Sequence, residues 1–183
     1  MLWIISGPSS VGKSTFIRSG QGFTLTGLPP ETPVLKPKNR PGLDARLLGD
    51  TECFVHYNIL RPVSLFAKRE ATSTTLAEQF RTRSTQFNAD PWWVEFSERT
   101  KKKQAIVLVA TRTAILKRAS ARPDYKIKYW GELYGKLDLA QIYRAWHVEL
   151  ERHRIPVVFV DATNAAYPAL DAAGAFAIIE RDS

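Results

Sequence analysis

The chain has 183 residues, with 26 Lys+Arg against 18 Asp+Glu and 44% hydrophobic residues. Those values fit one globular domain with a core of its own and exclude wholesale disorder and collagen-like structure. The formal net charge of +8 is local: residues 101–154 hold thirteen Lys/Arg and five Asp/Glu, while the remainder balances at thirteen of each.

Leu2 to Ser6 is a short apolar run, suited to a strand buried on both faces. A glycine-rich turn follows, then a helix from about Lys13 to Ser19, closed by Gly20 and Gly22. Residues 23–52 are rich in Gly and Pro and read as loop, with one short strand at Pro33–Leu35. Cys53–Tyr57 is β-prone. Thr75 to Phe87 suggests a helix, with Thr75 and Glu78 spaced as a capping box. Asp90-Pro91 is an N-cap and N1 pair for a helix through about Lys102. Ala105–Ala110 is the most hydrophobic run and predicts a central strand, followed by a helix from Arg112 to Ala121. Asp138 starts an amphipathic helix with Leu139, Ile142, Tyr143, Trp146 and Leu150 on one face. Ile155–Val160 is the last predicted strand, and Ala165 to Glu180 a terminal helix. Strands alternating with helices predict an α/β fold, three-layer α/β/α, around a mainly parallel five-stranded sheet.

The lone cysteine, Cys53, leaves nothing for an intrachain disulfide, and no Cys/His spacing suggests zinc. No apolar run approaches the roughly 20 residues that span a bilayer. Met1-Leu2-Trp3-Ile4-Ile5 lacks the basic n-region and long h-region of a signal peptide, so a soluble cytoplasmic protein is the expectation.

The informative motif is Gly7-Pro8-Ser9-Ser10-Val11-Gly12-Lys13-Ser14-Thr15, which satisfies G-x-x-x-x-G-K-[ST] directly after a strand and before a helix. Gly7 and Gly12 permit backbone angles that a Cβ forbids, so successive N–H groups can face one cavity and favour a polyphosphate. Lys13 places a point charge on the β- and γ-phosphates, and the Ser14 hydroxyl can ligate Mg²⁺. The segment resembles the Walker A motif of the P-loop NTPases. Ser6 to Thr15 is most similar to the opening of the nucleoside monophosphate kinases, guanylate kinase especially. The close match covers about the first 18 residues, with a looser fold-level likeness beyond. The resemblance implies one P-loop kinase-like domain over residues 1–183 that binds a nucleoside triphosphate, ATP by elimination of GTP, and Mg²⁺ through Gly7, Ser9, Ser10, Val11, Gly12, Lys13, Ser14 and Thr15.

The same resemblance implies a helical lid at about residues 112–136, whose arginines cover the transferring phosphoryl group. Arg118 and Arg122, four apart on one helix face, are the candidates, because guanidinium stays charged and grips phosphate bidentately. The family also implies an aspartate closing the second strand, where this chain carries Asn58. Asn58 is a candidate for a magnesium-bound water and His56 a candidate base near neutral pH, against plain structural roles for both. The loop after the last strand touches the nucleotide base in such kinases, which points to Asp161, Thr163 and Asn164. Lys36, Lys38, Arg40 and Arg61 fall where acceptor specificity is expected, though the serine, paired threonines and arginine of guanylate kinase are absent. Asp44, Asp50 and Glu52 suit either general bases or surface carboxylates. Trp92, Trp93, Tyr125, Tyr129, Trp130 and Tyr134 suit either a substrate pocket or helix packing. The Lys101-Lys102-Lys103 triplet reads as the basic last turn of a helix.

The leading expectation is therefore a small phosphotransferase that moves the γ-phosphoryl group of ATP to a phosphate or hydroxyl acceptor, with a small-molecule partner. A nucleic-acid end-kinase or binder is the second reading, and a non-catalytic nucleotide-binding regulator the third. A GTPase switch is disfavoured by the lack of an Asn-Lys-x-Asp segment. A sulfotransferase is disfavoured by the complete Gly-Lys-Ser ending.

Overall fold

The computed structural model describes residues 1–37, 42–63, 83–121 and 137–181. Outside them lie Lys38, Arg40, Arg122, Tyr125, Tyr129, Trp130 and Tyr134, most of the helix expected at 75–87 and residues 122–136 of the expected lid.

Six strands form one sheet: β1 (Leu2–Ser6), β2 (Val34–Leu35), β3 (Cys53–His56), β4 (Lys103–Val109), β5 (Val157–Asp161) and β6 (Ala169–Leu170). Their spatial order is β2-β3-β1-β4-β5-β6, and only the last pairing is antiparallel. The described helices are α1 (Lys13–Arg18), α2 (Gln21–Thr26), α3 (Pro91–Arg99), α4 (Arg112–Ser120), α5 (Leu139–Arg152) and α6 (Ala172–Glu180).

The central strands are continuous apolar runs because both faces are covered. In β1 the side chains alternate, so Leu2, Ile4 and Ser6 share one face, and Trp3 and Ile5 the other. On the first face, Trp146 of α5 donates its indole N–H to Ser6 Oγ at 2.9 Å. On the second, Trp3 is in register with Phe54, whose ring meets Phe23 of α2 with centroids 5.3 Å apart. Helices therefore cover both faces, compatible with three layers. The apolar stripe of α5 is buried as its periodicity predicted: Leu139, Ile142, Tyr143, Trp146 and Leu150 all face inward.

An aromatic cluster fills the space between α3, α5 and the end of β3. Tyr57 stacks on Trp146 at 5.0 Å, and Trp93 meets Trp146 edge-on at 4.5 Å. Trp92 and Trp93 are thus core residues, which settles their two readings in favour of packing. Beneath them Asp90 caps α3, accepting from Trp92 N, and takes the Tyr57 hydroxyl at 3.0 Å.

Three elements depart from expectation. The sheet has six strands rather than five, because residues 165–180 do not form one helix. Pro168 has no N–H and cannot sit inside it, so β6 forms next, and Asp171 caps a shorter α6 through Gly174 N. Gln21–Thr26, read as loop, is helical between two left-handed glycines, held by Phe23 on Phe54. The helix expected through Lys102 stops at Arg99, and Lys103 opens β4. The Lys103 ammonium turns back to the carbonyls of Ser97 and Thr100 at 2.6 and 2.7 Å, so one lysine of the triplet caps α3 from the strand.

Candidate functional site

The glycine-rich loop leaves the carboxyl end of β1, and the strand order explains why that matters. The chain passes from β1 to β2 and β3 on one side, then crosses to β4 on the other. In an open parallel sheet, this reversal leaves a crevice beyond the carboxyl ends of the strands.

The loop backbone is unusual. Gly7 and Gly12 sit at φ 139° and 114°, and Ser10 at φ 62°. A Cβ on Gly7 would lie 2.8 Å from the Leu108 carbonyl oxygen and 2.9 Å from Val11 Cγ1, so no side chain fits. Gly12 is also the N-cap of α1 and gives it no side-chain cap, unlike Asp90, Thr111, Asp138 and Asp171 at later helices. The first N–H groups of α1 therefore have no capping side chain.

Lys13 is only 4% exposed, and its ammonium donates to the Gly7 and Pro8 carbonyls, each at 2.6 Å. A buried ammonium costs free energy unless its donors are satisfied, and here the loop satisfies it. The same loop bends around the charge it would present to an anion.

The end of β3 reaches this loop through the β1–β3 register, in which Ile5 pairs His56. Tyr57 N then donates to Ile5 O, and Ile59 N to Gly7 O. His56 Nε2 thereby comes within 3.4 Å of Ser14 Oγ. Burial, with the charges of Lys13 and Lys36 nearby, pushes the His56 imidazole down to about 3. His56 is thus at the site, but neutral throughout the physiological range rather than titrating near neutrality. Asn58 is turned to the loop instead of to Ser14: its amide donates to Ser9 Oγ at 3.2 Å and its carbonyl accepts from Leu60 N. The side chain beside the Ser14 hydroxyl is therefore His56, not Asn58.

These groups open on a cavity of about 450 Å³ lined by Ser9, Ser10, Gly12, Lys13, Ser14, Thr15, Arg18, Lys36, His56, Asn58 and Arg118. Gly7 and Val11 are not among the residues that line it. Four cations and no carboxylate are among its described lining residues. Its chemistry is that of a receptor for a strong anion.

Arg118, from α4, lines the cavity, but its guanidinium is engaged. One amino group donates to Val11 O at 2.8 Å; the other donates to Ala162 O at 2.5 Å and Thr163 O at 2.9 Å. Asp161 closes β5 and accepts from Thr163 N at 2.7 Å, forming a tight turn. Asp161, Thr163 and Asn164 are not among the residues lining the cavity; of the three, Thr163 accepts from Arg118 through its carbonyl. Sequence reading missed Tyr167, which meets Phe16 of α1 edge-on at 5.1 Å and adopts φ 51°. Arg18 was missed too: it follows the motif on α1, and its Nε donates to Ser14 O at 3.2 Å. Its spacing of four from Ser14 was a usable signal.

Other expected residues fall elsewhere. Lys36 lines the cavity, but Arg61 does not: it pairs with the buried Asp90 at 2.8 Å, so its charge is committed to the core. Asp44 caps a short 3₁₀ turn and pairs with Arg46. Asp50 and Glu52 are exposed and off the cavity.

The donor set bears on magnesium. Among the described residues, no group of three or more His, Cys, Asp or Glu could hold a metal. Among the residues lining the cavity Ser14 offers a hydroxyl and none offers a carboxylate, so a Mg²⁺ ion held there would take its other ligands from phosphate oxygens and water. No helix of the described residues is long and apolar enough to cross a membrane. No protein-family model matches the chain, and no curated protein matches it in sequence.

Proposed function

We propose that this chain is an ATP- and Mg²⁺-dependent phosphotransferase of the P-loop kinase-like type, passing the γ-phosphoryl group to a phosphate or hydroxyl acceptor. The observation that carries the reading is the four-cation cavity at the mouth of a Gly-x-x-x-x-Gly-Lys-Ser loop, at the switch point of a parallel sheet. Fold alone would not support it, since such sheets host many chemistries.

Phosphoryl transfer through a loose transition state asks a protein mainly for positioning and charge, and little for covalent chemistry. A cavity rich in cations and without carboxylates suits that demand. Lys13 would exchange its loop carbonyls for phosphate oxygens. Ser14 would hold magnesium, which supplies charge neutralisation on the phosphates when bound. Lys36, which also lines the cavity, would serve the acceptor. The base side is assigned to the turn at Asp161, Thr163 and Asn164, and a lid to residues 112–136.

Two measurements test this. Titration calorimetry with ATP in excess Mg²⁺ should show saturable binding that K13A weakens at least tenfold. A coupled assay over phosphorylated and hydroxyl acceptors should show acceptor-stimulated turnover, reduced at least a hundredfold by K13A. A wild-type protein that binds no nucleoside triphosphate at millimolar concentration ends the reading.

A further inference from the structure

We propose that Arg118 is a positioning residue that cross-ties the glycine-rich loop to the turn after β5, rather than a group that grips the phosphoryl oxygens. As far as ligand affinity is concerned, the inference rests on the reading of the cavity as a nucleotide site; the tie itself does not.

The geometry is specific. One guanidinium fork joins two segments far apart in the chain, at Val11 and at Ala162–Thr163, and meets three carbonyl oxygens at 2.5 to 2.9 Å. The acceptors are backbone oxygens of Val11 in one loop and of Ala162 and Thr163 in the other. Val11 lies between Ser10 at φ 62° and Gly12 at φ 114°, so it belongs to a stretch that no helix or sheet ladder stabilises. The turn at 162–168 is similarly non-repetitive, with Tyr167 at φ 51°. Two strained loops face each other, and Arg118 supplies polar bonds to both. Packing reinforces the link: a Cβ built on Gly12 would lie 3.8 Å from an Arg118 amino nitrogen and 4.0 Å from Tyr167 Oη, and Tyr167 rests on Phe16.

The chemistry argues against a phosphate grip in this arrangement. Three of the five N–H donors of Arg118 already serve carbonyls and Nη2 has none left, so a bidentate phosphate grip through both amino groups would break bonds that hold the receptor for that phosphate. Lysine cannot replace the arrangement, because a single ammonium lacks the planar fork that serves both loops together. A phosphate grip, by contrast, would keep its charge term in lysine, which binds phosphate as a point charge, while losing the bidentate geometry.

The experiment compares R118K and R118M with wild type. Amide hydrogen exchange is measured first on the ligand-free proteins. The tie predicts that residues 8–13 and 162–167 lose protection together, at least tenfold, in both variants, while β1 and β4 keep theirs. ATP binding in excess Mg²⁺ is then titrated at several salt concentrations. The tie predicts that R118K and R118M lose affinity alike, at least tenfold, with the salt dependence unchanged. Wild-type affinity in R118K, or a shallower salt dependence in R118M, would overturn the proposal in favour of a phosphate grip. Unchanged exchange in the two loops would overturn it outright. If the wild type binds no triphosphate, the functional reading fails, and the exchange comparison still decides the role of Arg118.

Discussion

At Gly7 a single hydrogen in place of a side chain decides whether the loop can close. The residue has φ 139°, and a Cβ would meet Leu108 O at 2.8 Å, backbone that cannot swing away. G7A should therefore cost about 2–4 kcal/mol, combining the left-handed backbone with the clash. Denaturant titration checks this; G27A, at φ 70° with open space around it, should cost only about 1 kcal/mol. His56 makes a second residue-scale prediction. Its imidazole is held at about 3 when folded, against 6.5 for an unperturbed histidine. Below pH 6.5 the unfolded chain binds a proton that the folded protein refuses, so stability is full above that pH and falls as pH drops toward 3. Between pH 7.5 and 5.5 this amounts to about 1 kcal/mol. H56Q should lose that slope whatever its own cost at pH 7.5. Parallel pH profiles for the two proteins would contradict the assignment. The identity of His56 as a site residue was legible in the sequence. Its neutrality was not, because that depends first on burial and then on Lys13 and Lys36, all brought about by folding.

Elements show the same division. The stripe of α5 was readable because helical periodicity and burial coincide over fourteen residues. Its start was readable too: Asp138 accepts from Gln141 N at 2.8 Å. D138A should cost about 1 kcal/mol, the usual value of a lost N-cap, and D138N should recover most of it in thermal unfolding. The start of α6 and the existence of β6 were misread although Pro168 and Asp171 carried the signal, because the alanine-rich run around them outweighed it. The short helix α2 had no such signal. Six residues flanked by glycines do not form a helix alone, and Phe23 finds its reason only in Phe54, thirty-one positions away.

For the molecule as a whole, one buried triad joins the N-terminus of α3 to the segment after β3. Asp90 is fully buried, yet it accepts from Tyr57 and Trp92 and pairs with Arg61. Burial pushes its carboxyl up, and Arg61 beside it pulls the other way. Removing one partner leaves an uncompensated buried charge, so D90A should cost about 3–5 kcal/mol. The double variant D90L/R61M should lose less than the sum of its singles, and a double-mutant cycle by chemical denaturation measures the difference. The charge surplus of residues 101–154 cannot be counted whole as ligand-binding capacity, because Lys103 caps a helix. Of the Lys/Arg between 101 and 154, Arg118 is the one among the described residues that lines the cavity.

What the sequence determined by itself is the glycine-rich loop, its lysine and serine, and the parallel α/β plan. Those features are local: a spacing of two glycines, an apolar run before it, a helical period after it. Which residues stand opposite the loop was decided by tertiary structure alone. The pairing of Ile5 with His56 sets His56, not Asn58, beside Ser14. The approach of α4 to the turn after β5 turns Arg118 toward three carbonyls. Such contacts join segments far apart in the chain, and no periodicity or motif records them, because they follow from strand register and packing rather than from neighbours in sequence.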